Sequence, residues 1–307
     1  MSNMIKYLGK KQPKGVSRKM SPGDKIFTGL TYIICFLAAC ITAYPLIYVF
    51  SMSISAPEAV VANQVTLLPK GFSLKAYEIV FKNKEIWKAY YNTLWYTVVG
   101  TTISTLLTLM AAYPLSRKQF FLRKPLSLFF TLSMFFTGTL VPMYLLINKL
   151  HLYNTRWAIV LPAGAAAYYI IMARTFLSTI PDSLYESAKI DGATEVTILR
   201  KIFIPLSMPI MSVLIMYYSV HQWNSYFNAM VYLPGRKDLQ PLQIYLMKVL
   251  INNESAADEA VGAASMSMIS LQLKYVVIVA ALVPILIAFP FLQKYFTKGM
   301  MIGAVKE

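Results

Sequence analysis

Acidic side chains are scarce in this 307-residue sequence: 13 Asp and Glu stand against 29 Lys and Arg, and charged residues of both signs make up only 14%. A soluble domain usually carries about a quarter charged residues, so the shortage excludes an ordinary water-soluble globule and points to lipid as the solvent. Histidine is scarcer still. His151 and His221 are the two, far apart and without ligand spacing, so no metal site is expected. The two cysteines, Cys35 and Cys40, share one apolar run and exclude a disulfide framework. No Gly-x-x-x-x-Gly-Lys-Ser/Thr phosphate loop occurs. No constellation of acids, histidines or cysteines marks a catalytic centre, and no catalytic residue is expected.

Apolar residues fill the gap, at 57% of the chain. They gather in long runs, Ile26 to Phe50, Tyr90 to Leu115, Leu126 to Ile147, Trp157 to Phe176, Ile202 to Val220 and Tyr275 to Leu292. Each is close to the ~20 residues that cross a bilayer as a helix, and helix is the one open-chain conformation that satisfies its own backbone there. The sequence therefore predicts an all-α membrane protein of about six spans. Leu37-Ala38-Ala39-Cys40 imitates a lipoprotein cleavage box, but Ile41 to Phe50 stay apolar and complete the span, so Cys40 is expected as a small packing residue. Within the six runs the one ionisable acid or base is Arg174, near an inner end, which leaves no proton relay or ion site in the bilayer and argues against an ion-coupled sugar carrier.

The net charge of +16 follows the membrane rather than nucleic acid, because the basic residues form no stripe with interleaved aromatics. Placing 1–25, 116–125, 174–201 and 294–307 inside puts 18 of the 29 Lys and Arg on the cytoplasmic side, and the positive-inside rule then sets both termini in the cytoplasm. Three parts are expected: a basic arm at 1–25 lying near anionic lipid, a membrane domain at 26–293, and a cytoplasmic tail at 294–307. Outside, 51–89 reads as a surface excursion, and 233–274, with Asn252-Asn253-Glu254 and Asp258-Glu259, reads as a water-facing loop.

The inner segment between spans four and five differs from the other loops. Pro181-Asp182-Ser183 is a helix start, and Asp191-Gly192 breaks the segment where glycine accepts a left-handed turn, predicting two short helices over 181–201. Its sequence, Glu186-Ser187-Ala188-Lys189-Ile190-Asp191-Gly192-Ala193-Thr194 running on to Pro205-Leu206 and Pro209, resembles the EAA loop of binding-protein-dependent ABC importer permeases. Ser187 replaces the usual first alanine, and Leu199 stands where an aromatic is common. The tail from Pro284 through Pro290 to Lys306, and the stretch His221 to Asn228 followed by Pro241-Leu242-Gln243, are similar to carbohydrate-type permeases of the maltose-transporter class, in a branch linked to complex plant oligosaccharides.

That resemblance implies a type I importer permease fold in the bacterial cytoplasmic membrane, with coupling helices seated in a cleft of a partner ATPase. Glu186, Ser187, Ala188, Asp191, Gly192 and Ala193 would form the coupling contact. Glu186 would pair with a cation across the interface, the alanines would allow close approach, and Gly192 would make the turn. It also implies a second, similar permease as heterodimer partner, two ATPase subunits holding ATP and Mg, an extracellular solute-binding protein and an oligosaccharide of plant polysaccharide origin. This chain itself would bind no cofactor. Sugars are recognised by aromatic faces and amides, and Asn92, Trp95, Tyr96, Trp223, Asn224, Tyr226 and Asn228 offer these near the outer ends of two spans, although interfacial aromatics also serve as membrane anchors. An ABC permease for another small solute would share the loop but not the tail.

Overall fold

The computed structural model describes residues 21–136, 138–251 and 263–304. Most of the basic arm, together with Asn252-Asn253-Glu254 and Asp258-Glu259, lies outside them. The chain divides into two compact units, Met1–Tyr48 and Val49–Glu307.

The first unit contains most of α1 (Pro22–Ile54), which Asp24 caps by accepting the Ser21 N–H at 3.2 Å. Its side chains are apolar on every side, and Ile26, Phe27, Tyr32, Phe36 and Ile41 are all exposed, as expected of a helix made for lipid. Cys40 is exposed as well, where a small packing residue was expected.

In the second unit follow α2 (Pro57–Val61), α3 (Lys75–Lys82), α4 (Lys84–Ser116), α5 (Arg123–Ser133), α6 (Leu140–Lys149), α7 (Trp157–Val160), α8 (Ala167–Leu177), α9 (Asp182–Ile190), α10 (Glu195–Ile198), a π-helical turn at Leu199–Phe203, α11 (Ile204–Leu206), α12 (Met208–Trp223), α13 (Phe227–Tyr232), a 3-10 turn at Lys237–Leu239, α14 (Leu242–Ile251) and α15 (Ala263–Ala304). Among the described residues three helices are long and apolar enough to cross a membrane, in α1, α4 and α15, and the pair Glu195–Leu206 and Met208–Trp223, bent by 80°, makes up to four. The other two expected spans are interrupted. The third breaks between α5 and α6 around Gly138, and the fourth between α7 and α8 at Pro162 to Ala166, where proline lacks the N–H that a continuing helix needs. The described parts of the outer segment are largely helical where a water-facing loop was expected: its apolar stretch forms α14, and α15 starts at Ala263 and runs to Ala304.

α4 is the strut of this unit, packing against α8, α12 and α14. Near its start Ile86 and Ala89 join Trp223, Leu242, Tyr245, Val276 and Val277 in one buried cluster, and near its end Leu109, Ala112 and Tyr113 join Ile170, Leu177, Phe203 and Leu214 in another. Polar groups along α4 close the gaps that broken helices leave. Ser104 donates to the Ala163 carbonyl at 3.1 Å, the Ala166 N–H reaches Tyr218 Oη at 3.4 Å, and Thr108 bonds the same Tyr218 hydroxyl at 2.7 Å. At the other end the Thr93 hydroxyl accepts the Leu242 N–H at 2.8 Å and so caps α14.

At Gly100 the backbone of α4 lies directly against a side chain of α12. A Cβ there would lie 2.5 Å from Gln222 Nε2 and 2.7 Å from its Cδ, and Gln222 is only 2% exposed, so its amide has little room to yield. Gly100→Ala is expected to cost roughly 1–3 kcal/mol by overpacking and to lower the Tm of the purified protein. Adding Gln222→Ala should recover most of that loss, an interaction that a thermal-shift double-mutant cycle would read.

Candidate functional site

The two short helices expected over 181–201 are present as α9 and α10, joined at Gly192, whose φ of +77° is open to glycine and strained for other residues. Ala193 N–H closes the turn onto the Ala188 carbonyl at 2.9 Å, and Thr194 caps α10 by accepting the Thr197 N–H at 3.3 Å.

One face of this hairpin is fastened to the body. Glu195 is the central fastening: Oε1 accepts from Lys189 Nζ at 2.8 Å and from Tyr185 Oη at 2.7 Å, while Oε2 accepts from Tyr113 Oη of α4 at 2.9 Å. Partial burial pushes the Glu195 carboxyl up, but the bonds from Lys189, Tyr185 and Tyr113 outweigh it and hold the group below the usual carboxylate range. The same bond raises Lys189. Asp182, at the start of α9, is held low by its hydrogen bond from Lys118 at 2.9 Å, with Arg117 Nη1 at 3.6 Å adding to it. Arg117 is buried, donates to the Leu177 carbonyl at 3.0 Å, and lies 4.4 Å from the centre of the Phe203 ring.

The opposite face is free. Glu186, Ser187, Asp191 and Gly192 are exposed, and Ser187 bonds only its own turn, at the Leu184 carbonyl. Ile190 and Val196 are 86% and 73% exposed. Ala188, by contrast, is buried and Ala193 half-buried in the cluster that includes the end of α4.

At the far end of α4 the structure brings some of the expected polar and aromatic residues together. Asn92, 2% exposed, donates to the carbonyls of Asp238 at 2.8 Å and Gln240 at 3.1 Å and accepts from Arg156 Nη2 at 2.9 Å. Tyr96 is buried and donates to the Leu239 carbonyl at 2.8 Å. Both therefore brace the 237–241 turn. Trp95 is half-buried, edge-on to Trp157 at 5.8 Å, with the Arg156 guanidinium 5.0 Å from its ring. Trp223 closes α12 from inside the core, while Asn224 and Tyr226 are exposed and Asn228 half-buried in and just beyond the break before α13.

Residues 15–302 match the family described as binding-protein-dependent transport system inner membrane component. The chain belongs to that family. It is similar to the polygalacturonan/rhamnogalacturonan transport system permease protein YtcP of Bacillus subtilis, at 35% identity over 92% of this chain and 99% of that protein. It is also similar to the arabinooligosaccharides transport system permease protein AraQ of Halalkalibacterium halodurans, at 28% identity over 95% and 100%. A crystal structure of a bacterial ABC transporter involved in import of the acidic polysaccharide alginate superposes with a TM-score of 0.82 at 31% identity, covering 91% of this chain and 100% of that one. This is a permease subunit of an ATP-binding-cassette importer, and not itself an enzyme.

Two features of the permease escape a reading of sequence alone. Glu195 follows Thr194 as an unremarkable first-turn acid, and its partner Tyr113 lies 82 positions away. A second is a threonine stripe: Thr97, Thr101 and Thr105 stand one turn apart on α4 and, with Ser219, line a groove of about 360 Å³. The four-residue spacing was the available signal for that stripe; nothing local signals the Glu195–Tyr113 contact. Because Glu195 is depressed, its fastening is complete at neutral pH and is lost as pH falls through its folded pKa, below the ordinary carboxylate value of about 4.3. Glu195→Ala is expected to speed amide hydrogen exchange across 182–198 by roughly tenfold or more, the scale of a charge-assisted hydrogen bond, with exchange in α12 far less affected.

Proposed function

We propose that this permease forms half of a translocation pore for an oligosaccharide of plant polysaccharide origin, in a heterodimer with a second, similar permease. Two ATPase subunits hold ATP and Mg and drive it, and an extracellular binding protein delivers the sugar. Both termini lie in the cytoplasm, with 1–25 a basic arm, 26–293 the membrane domain and 294–307 the tail. The observation that carries the reading is the two-faced hairpin at 181–201: one face is bound through Glu195 to α4 and through Asp182 to Arg117 and Lys118 just beyond it, and the other presents Glu186, Asp191, Ile190 and Val196 to whatever docks there.

A docking surface and a mechanical link are thus combined. Glu186, Ser187, Asp191 and Gly192 form the coupling contact, with Glu186 pairing to a cation of the ATPase, while buried Ala188 and half-buried Ala193 seat the hairpin on the body behind it. Closure of the ATPases on ATP displaces the hairpin as a rigid lever, and Glu195 passes the displacement to Tyr113 and so along α4, about 50 Å of helix at 1.5 Å per residue. ATP supplies the drive because it binds the two states unequally. The far end of α4 carries Asn92, Trp95 and Tyr96, and α12 ends at Trp223, with Asn224 and Tyr226 in the break after it and Asn228 in α13. These residues line or brace the sugar path, where aromatic faces stack on pyranose rings. The similarity to permeases for polygalacturonan/rhamnogalacturonan and arabinooligosaccharides supports the substrate class.

The importer, isolated with whatever co-purifies in mild detergent and returned to vesicles, provides the test. Wild type should bring with it an ATPase and a second permease and take up oligosaccharide only with ATP. Glu186→Ala should reduce ATPase recovery and abolish most uptake. A chain that purifies alone and carries sugar without ATP would overturn the reading.

A further inference from the structure

At the end of α4 opposite the hairpin lies a recess of about 190 Å³ between the start of α4, the 237–241 turn and α14. Lys88, Lys237 and Lys248 line it, facing Glu85 and Asp238. Asp238 is already engaged, since Arg236 holds both of its carboxylate oxygens at 2.9 Å. Among the described residues no carboxylate lies in ion-pair range of any of the three lysines, and Lys248 bonds only the neutral Gln240 amide at 2.8 Å. Four cations around two carboxylates leave the recess positive, and a concave wall strengthens such a field.

Beside the recess, Asn92 ties its rim to Arg156, whose guanidinium lies 5.4 Å from the ring of Tyr91 and 5.0 Å from that of Trp95. An aromatic pair with a guanidinium next to a group of ammonium ions suits a sugar ring bearing a carboxylate. A neutral sugar would leave these charges unmatched.

We infer that this recess is an entry subsite for the carboxylates of an acidic, uronate-containing oligosaccharide, with Lys88, Lys237 and Lys248 as the residues that select for charge. The inference rests on the permease reading above and narrows its substrate class. The similarity to proteins named for polygalacturonan and for the acidic polysaccharide alginate agrees with it.

The test uses the complete importer in vesicles with its binding protein at saturation and trigalacturonate below saturation. The triple variant Lys88→Gln, Lys237→Gln, Lys248→Gln should lose roughly tenfold in uptake, equivalent to about 1.4 kcal/mol. The corresponding triple Lys→Arg variant should restore it, and each single Lys→Gln variant should move uptake in the same direction. The concentration of binding protein giving half-maximal ATPase stimulation is read in parallel. If that concentration rises about tenfold in the Gln variant, the lysines dock the binding protein and the inference is overturned. Undiminished trigalacturonate uptake overturns it too. A wild-type importer that takes up neutral oligosaccharides but not trigalacturonate overturns the charge selection alone, whereas one that takes up no oligosaccharide with ATP overturns the permease reading itself.

Discussion

Backbone hydrogen bonding without water is the constraint on which the rest of this structure depends. Each unpaired N–H or C=O in hydrocarbon costs several kcal/mol, so a chain that breaks its helices inside a membrane must supply other partners. Here the partners come from α4 and α12. Ser104 takes the carbonyl freed at Ala163, and Tyr218 meets both the Ala166 N–H and Thr108. The interrupted fourth span is thereby locked to the two helices beside it. Close approach follows from the same arrangement, since Gly100 lets the Gln222 amide lie against the α4 backbone. Small and hydroxyl-bearing residues hold the unit together where burial of apolar surface gives little advantage over lipid.

The chemistry then separates along α4. Its start lies among lysines and Arg156, with an aromatic pair alongside, while its end meets Glu195, Asp182 and Arg117 in a set of paired charges. Paired charges fix a position, because each ion has a partner and moving one disturbs the other. Unmatched cations are free to attract a ligand. The hairpin end is therefore held by paired charges, the opposite end keeps three lysines without a carboxylate partner among the described residues, and one unbroken helix joins them. A broken span in place of α4 would absorb movement of the hairpin at its hinge.

Much of this was legible in the sequence. The long apolar runs, the turn at Asp191-Gly192 and the two short helices around it follow from local rules of helix initiation and glycine conformation, and the structure contains them. Continuity of the spans was less legible. Apolar length alone reads Leu126 to Ile147 as one helix, although Gly138 falls at its break; Pro162 was visible too, but whether it kinks or interrupts a helix depends on neighbours that accept the freed groups. Asn92 and Tyr96 read as sugar ligands from their type and position, and the structure also gives them carbonyl partners in the 237–241 turn, more than 140 positions on. Such long-range pairings leave no local trace. Glu195 illustrates this most clearly, since only folding brings Tyr113 to it.

The placement of charge can be argued one step further. Lys189 and Glu195 lie on either side of Gly192, so the turn and the ion pair support each other: the positive φ at Gly192 sets α9 against α10, and the pair holds them there. An exposed ion pair alone contributes little, at about 0–1 kcal/mol. Glu195 gains from accepting two tyrosine hydroxyls as well, one from the hairpin and one from α4, and such charge-assisted bonds are stronger than neutral ones. A single carboxylate therefore links three pieces of chain, α9, α10 and α4. That economy explains why the outer face of the hairpin can be left with exposed Ile190, Val196 and Glu186: its conformation is fixed from behind, so the whole exposed face remains available for contact.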